Sequence, residues 1–193
     1  MKFSLILILL SVLNNTNLLI NSQVKSYLDK LETNFDEILF VSIDNQKMYH
    51  FKKQKIISTY VISSSKYGVG NQSGSNKTPK GLHFIKNKIG DNTPINGKMI
   101  GRKFTGEIAK IFSDKTISDT DDITTRILWL SGLEEGLNKG KNIDSFKRYI
   151  YIHGTSEEGR LGIPSSHGCI RMKNKDVIDL YKKVEVGTLV LIL

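Results

Sequence analysis

The sequence predicts a mainly β protein, a β-sandwich-like fold carrying a few short α-helices. Three observations lead there. Three β-branched and aromatic runs follow one another between Ile38 and Ile62, separated by turn-forming residues. Another such run, Tyr149–His153 (YIYIH), lies near the C-terminus, and the chain closes on a glycine turn and an apolar segment. Helical spacing of apolar residues is clear in only two short stretches. With 193 residues, 39% hydrophobic and 24% charged, the chain has the length and composition of one globular domain with its own core.

The first segment reads as an export signal. Lys2 supplies a minimal positive start, and Phe3–Leu13 (FSLILILLSVL) is an apolar stretch too short to span a membrane. Asn14–Asn17 interrupts it before Leu18–Ile20, and no Ala-x-Ala cleavage site follows. Residues 1–22 are therefore expected to be a signal peptide cut near Gln23, or an uncleaved N-terminal anchor. Either places the protein outside the cytoplasm, in a periplasm or cell envelope. Residues 23–37 come next, where Val24, Tyr27, Leu28, Leu31 and Phe35 recur at helical spacing. A single domain is expected over residues 38–193.

Ile38–Ile43 (ILFVSI) opens that domain as an apolar strand, Asp44-Asn45-Gln46 turns the chain, and Lys47–Phe51 and Lys55–Ile62 return as two more strands. Ser63–Lys80 is a loop rich in Ser, Gly and Asn, ending in Thr78-Pro79-Lys80-Gly81 before a strand at Leu82–Lys86. Ile89–Ser145 reads as long connections with short strands, among them Ile127–Leu130, and includes an acidic patch at Asp119–Asp122. Long loops inside a compact domain often serve as lids. After Met172, Asn174 is expected to N-cap a helix with Val177, Leu180, Tyr181 and Val184 on one face, and Gly187 turns the chain into a last strand, Thr188–Leu193.

The formal net charge of +9 suits an anionic partner. The Lys and Arg residues form no long run and no aromatic-interleaved stripe, so nucleic acid is not expected, and a lysine-rich solvated surface is the plainer reading.

Chemistry concentrates between Tyr149 and Met172, which hold the one cysteine, Cys169, and two of the four histidines. A lone thiol forms no internal disulfide and no multi-cysteine zinc site, and on an exported chain it is a liability unless it is used. A thiol needs a base to become a good nucleophile. His153 ends a strand and is followed by the small Gly154. His167 lies two residues before Cys169, so an extended segment would put both on one face. Gly168 permits an unusual backbone angle, and the amides of Gly168 and Cys169 could form an oxyanion site beside the sulfur. Ser166 and Arg171 add donors suited to a carbonyl or carboxylate. His153, His167 and Cys169 would also suit zinc as ligands, although zinc sites usually show tighter ligand pairs. His50 and His83 fall within strands and read as packing residues. The residues alone do not choose between His153 and His167 as the base.

His153-Gly154-Thr155 and Ser166-His167-Gly168-Cys169-Ile170-Arg171-Met172 together strongly resemble the signature of the L,D-transpeptidase catalytic domain family. Ile38–Ile62 resembles its opening hairpin, Thr78-Pro79-Lys80-Gly81 its TPxG turn, and Val186-Gly187-Thr188 the entry to its final strand. The resemblance implies the sandwich-like fold of that family. It implies that Cys169 is the nucleophile, that His153 is the base oriented by the carbonyl of Gly154, and that His167 lines the site and assists the oxyanion. Ser166, Gly168 and Arg171 would shape the pocket. The donor it implies is a tetrapeptide stem of peptidoglycan, which loses its terminal D-Ala. The acceptor is an amine on a neighbouring stem, a lysine of a wall-anchored lipoprotein, or water. No metal or organic cofactor is implied. A non-catalytic wall-binding module would share the charge and the leader but would have no need of the Cys–His set. No wall-binding module is expected before the domain, so placement at the wall would fall to the domain itself or to an N-terminal anchor.

Overall fold

The computed structural model describes residues 17–193. Helix α1 covers residues 17–30. Ten strands follow: β1 (Glu37–Ser42), β2 (Lys47–Lys52), β3 (Lys55–Ser63), β4 (Gly81–Ile89), β5 (Gly97–Ile100), β6 (Lys103–Ile108), β7 (Ile123–Gly132), β8 (Tyr151–Gly154), β9 (Ile170–Met172) and β10 (Leu189–Ile192), with helix α2 (Asn174–Lys183) between the last two. They form one sheet in the order β4-β10-β1-β2-β3-β9-β8-β7-β5-β6, and a further pairing of β4 with β7 closes it on itself. The mainly β expectation holds, and the closure makes the sandwich a barrel-like one with the β5–β6 hairpin outside the ring. Closure removes the edges of the ring, while β6, outside it, pairs on one side only.

Burial on both faces explains why Ile38–Val41 of β1 are all apolar. Leu39 and Val41 join one core with Met48, Ile62, Ile170 and Met172, covered by Val177, Leu180, Tyr181 and Val184 of the α2 segment. Ile38 and Phe40 join the other with Tyr49, Phe51, Leu82 and Leu191, covered by Ile20, Val24 and Leu28 of α1.

The N-terminal helix lies upstream of its expected span. Ile20, Val24 and Leu28 are spaced by four and all buried, so the packed stripe reaches three residues before Gln23. The helix stops before Leu31: Glu32 adopts a left-handed φ of 49° and the Thr33 amide bonds back to Leu28 O. Phe35 packs on the same core from the following loop, which is why it fitted the periodicity. Lys2 and Phe3–Leu13 lie outside the described residues. No helix among the described residues is long and apolar enough to cross a membrane.

Two other expectations change. Ile89–Ser145 contains a ten-residue strand, β7, which pairs with β4, β5 and β8. Asn174 is no N-cap. Lys173 takes that position without a side-chain bond, and Asn174 turns inward, paired with the hydroxyls of Thr124 and Thr125 and donating Nδ2 to Thr155 O. It ties α2 to the end of β8 directly behind Gly154. A Cβ on Gly154 would lie 2.5 Å from Asn174 Oδ1, so only glycine fits there.

His83 is a packing residue, as expected. It is fully buried, with Nδ1 2.9 Å from Gly81 O and Nε2 2.9 Å from Ser145 Oγ. The pair looks like a hydrolase dyad but has no solvent access. Burial pushes the imidazole down to about 4. The unfolded chain binds a proton near pH 6.5 that the folded chain refuses. Stability is then full above about pH 6.5 and falls between there and about pH 4, by roughly 3 kcal/mol from this residue. Urea titrations at pH 7 and pH 4.5 should show that loss, and His83→Asn should flatten it; an equal slope in both proteins would remove His83 as the cause.

Candidate active site

Cys169 sits one residue before β9, which runs parallel to β8 with Ile152 opposite Ile170 and His153 opposite Arg171. The parallel pairing brings the two signature segments together. Gly168, at φ 126°, bends the chain just before the cysteine. The thiol donates towards Tyr149 O and accepts from the Tyr151 amide, both at 3.4 Å. Burial pushes the Cys169 thiol up to about 12, more than the backbone donor, Arg148 and Arg171 can offset. The thiol therefore rests protonated at neutral pH.

His153 is buried, and its Nδ1 lies 2.7 Å from the carbonyl of Gly154. A carbonyl accepts only, so Nδ1 carries the proton and Nε2 keeps its lone pair. Burial holds the imidazole below its usual pKa, against the pull of Asp121 and the Gly154 carbonyl. A neutral imidazole in this tautomer is a general base.

His167 departs from its expected placement. The bend at Gly168 breaks the extended geometry, and His167 turns to Asp121: Nδ1 is 2.9 Å from Oδ2, which also accepts the His167 amide at 3.1 Å. Its ring lies 5.8 Å from that of Tyr67. Ser166 is buried; its hydroxyl donates to Cys169 O at 2.6 Å and accepts the Gly168 amide at 3.2 Å. The Gly168 amide is thus partly engaged. Arg171 lies beneath the site rather than open to it, 1% exposed, with Nη1 3.0 Å from Asp121 Oδ1 and 2.9 Å from Glu157 Oε2. Among the described residues no group of three His, Cys, Asp or Glu side chains is placed to hold a metal ion.

Several site residues carried no sequence signal, or one whose role was not read. Asp121 belongs to the acidic patch, but nothing in the chain pattern places it between His167 and Arg171. Burial works against its charge; Arg171, His153 and His167 reverse that and hold its pKa below the usual carboxylate range. Residues 109–122 thereby fold over the site, pinned again where Ser118 N donates to Glu157 Oε1. A cavity of about 210 Å³ lies between this segment and the cysteine loop, lined by Lys66, Asp121, Glu157, Arg160, His167 and Arg171. Thr78, part of the TPxG turn, donates Oγ1 to Gly168 O at 3.0 Å. Arg148 fixes the same loop from outside, donating to Gly70 O, Asn71 O and Lys77 O. On the other side of the sulfur stand Trp129, Tyr149 and Tyr151, with Trp129 stacked on Phe146 at 4.0 Å.

The arrangement sets a cysteine beside a strand that carries a buried histidine, on a β-rich frame. The L,D-transpeptidase catalytic domain family model matches residues 36–192, and the chain belongs to that family. The probable L,D-transpeptidase YbiS of Escherichia coli K12 is 46% identical over 41 residues, 21% of this chain and 13% of that protein. The putative L,D-transpeptidase YkuD of Bacillus subtilis 168 is 50% identical over 46 residues, 24% of this chain and 28% of that one. These stretches span well under a third of either relative. An L,D-transpeptidase from Xylanimonas cellulosilytica superposes with a TM-score of 0.52 at 16% identity, covering 89% of this chain and 69% of that one. One from Mycobacterium tuberculosis H37Rv gives 0.50 at 14%, covering 82% and 57%. At such identities the likeness is one of fold.

Proposed function

We propose that the protein is a cysteine-dependent peptidoglycan L,D-transpeptidase of the cell envelope. The observation that carries this is the tautomer lock on His153, whose Nδ1 is held by Gly154 O in the strand beside Cys169. Family membership makes the stem peptide the substrate to test first.

His153 Nε2 takes the thiol proton as sulfur attacks the carbonyl of the third stem residue. The Cys169 amide donates to the oxyanion, with His167 at its rim. As the tetrahedral intermediate collapses, His153 returns the proton to the departing D-Ala amine, leaving a thioester. An amine on a second stem then attacks, loses its proton to His153, and releases the thiolate, which is reprotonated. Because thiol and imidazole both rest uncharged, proton transfer accompanies attack; no preformed ion pair is required. No metal or organic cofactor enters these steps. Ser166, Thr78 and Arg171 position the cysteine loop. An export leader within residues 1–22 would deliver the domain to the wall.

Incubating the protein with disaccharide-tetrapeptide fragments and weighing the products tests this. Cross-linked dimers with loss of D-Ala are expected, and none with Cys169→Ala. Shortened monomers alone would make it a carboxypeptidase. A lysine peptide from a wall lipoprotein, added as acceptor, would be joined if a protein amine is the partner. Unchanged fragments with both proteins would leave a non-catalytic wall binder.

A further inference from the structure

Arg102 sits in the tight turn between β5 and β6, where Gly101 and Arg102 both have positive φ, 55° and 67°. Two-residue turns of this kind favour Asn-Gly, and a long side chain in the left-handed region is there at a cost to the backbone. Local conformation does not call for arginine, so the side chain is the place to look for a reason.

That side chain lies over the aromatic wall beside the nucleophile. Its guanidinium is 4.7 Å from the Trp129 ring and 5.4 Å from the Tyr149 ring, and Nη1 donates to Tyr151 Oη at 3.3 Å. Tyr149 and Tyr151 are the residues whose backbone touches Cys169 Sγ. Tyr149 and Tyr151 thus meet the thiol with their backbone and the guanidinium with their side chains. The chain has five arginines. Arg126, Arg148, Arg160 and Arg171 each bond a backbone carbonyl or a carboxylate. Among the described residues Arg102 is the one arginine with neither, and its one hydrogen bond uses one of five donors. A guanidinium over rings with most of its N–H groups unused can still take a planar anion, and a carboxylate suits it in two-pronged fashion.

We propose that Arg102 binds a carboxylate of the acyl donor and selects donors that carry one. The proposal rests on the reading that a stem peptide acylates Cys169. Two donor carboxylates are candidates for Arg102: that on the side chain of the third-residue diamino acid, and the C-terminal carboxylate of the departing D-Ala.

The test separates binding from turnover. Calorimetry on Cys169→Ala, with and without Arg102→Gln, would use three tetrapeptides: the free acid, the side-chain amide and the C-terminal amide. Arg102→Gln is expected to weaken the free acid about tenfold, the size of a charge-assisted pair near the surface. One amide should bind equally well whether or not the Arg102→Gln change is present, and that amide identifies the carboxylate concerned. Arg102→Gly should weaken binding while raising the melting temperature, because glycine relaxes the turn; a merely structural arginine would lower both. Equal weakening of all three peptides, or of none, overturns the proposal. If the native protein forms no thioester with any peptide while the acid–amide difference persists, the turnover reading fails and the carboxylate site stands.

Discussion

Replacing His153 by glutamine is expected to slow acylation of Cys169 by a carbapenem about 10²–10⁴-fold, whereas His167→Gln should cost less than about tenfold. The reason is the state of the thiol. With its pKa pushed up to about 12, roughly one molecule in 10⁵ is thiolate at pH 7, so sulfur cannot attack at a useful rate unless a base takes its proton. His153 is the base we propose, since Nδ1 bound to Gly154 O leaves Nε2 to accept a proton. His167 has Nδ1 committed to Asp121 and lies half-exposed. The pH profile follows the same logic. The His153 pKa is lowered, so the imidazole stays neutral, and competent as a base, to a lower pH than a free histidine would. The acid limb of acylation should therefore fall below about pH 6.5. An unchanged rate in His153→Gln, or a rate rising only above pH 7, would assign the base elsewhere. Both substitutions keep a hydrogen-bonding side chain, and matching melting curves would show that the rates report chemistry.

The strands of the candidate site were legible because their residue types and their local structure coincide in sequence. YIYIH alternates and ends on His153-Gly154, and the cysteine loop lies within twenty residues of it. What escaped was set by distance along the chain. Asp121 reaches His167 across 46 residues and Arg171 across 50, and no local pattern encodes such a meeting. The expected shared face of His167 and Cys169 failed at one glycine, because Gly168 bends what alternation assumed was straight. Strand β7 was underread because its polar start, Ile123–Arg126, is irregular: Thr125 has φ 68° and the register with β8 shifts between Thr124 and Ile127. The start of α1 was misplaced for another reason. Residues 17–22 look like the tail of a leader in composition, and only the sheet face they cover shows Ile20 to be core.

Arg171→Met should be the most destabilising single change at the site. The guanidinium is held between two carboxylates, Asp121 and Glu157, with Ser165 and Ser63 on its other nitrogen. Methionine fills much of the space but leaves two largely buried acids facing each other without a cation. Removing one partner of a buried ion pair costs about 3–5 kcal/mol. For a chain of this size that is a fall in melting temperature on the order of 10 °C. Both acids have pKa values below the usual range: burial raises them, and Arg171, joined by Ser118 at Glu157 and the histidines at Asp121, more than reverses it. The native protein should then hold this contribution above about pH 4 and lose it as pH falls through the depressed values. In Arg171→Met the sign inverts: two unpaired acids take up protons more readily when folded, so the variant should lose less stability than the native protein on acidification. Adding Asp121→Asn and Glu157→Gln should return part of the loss, since neutral groups can stay buried when hydrogen-bonded. A melting temperature within about 2 °C of native for Arg171→Met, or no recovery in the triple variant, would show that the charge cluster is not what holds residues 109–122 over the cysteine loop. The same variant should also free His167 from Asp121, because Arg171 and His167 share that carboxylate through its two oxygens. Acylation should then slow even under conditions where the variant is fully folded, which would link the stability of the loop to the geometry of Cys169, the proposed nucleophile.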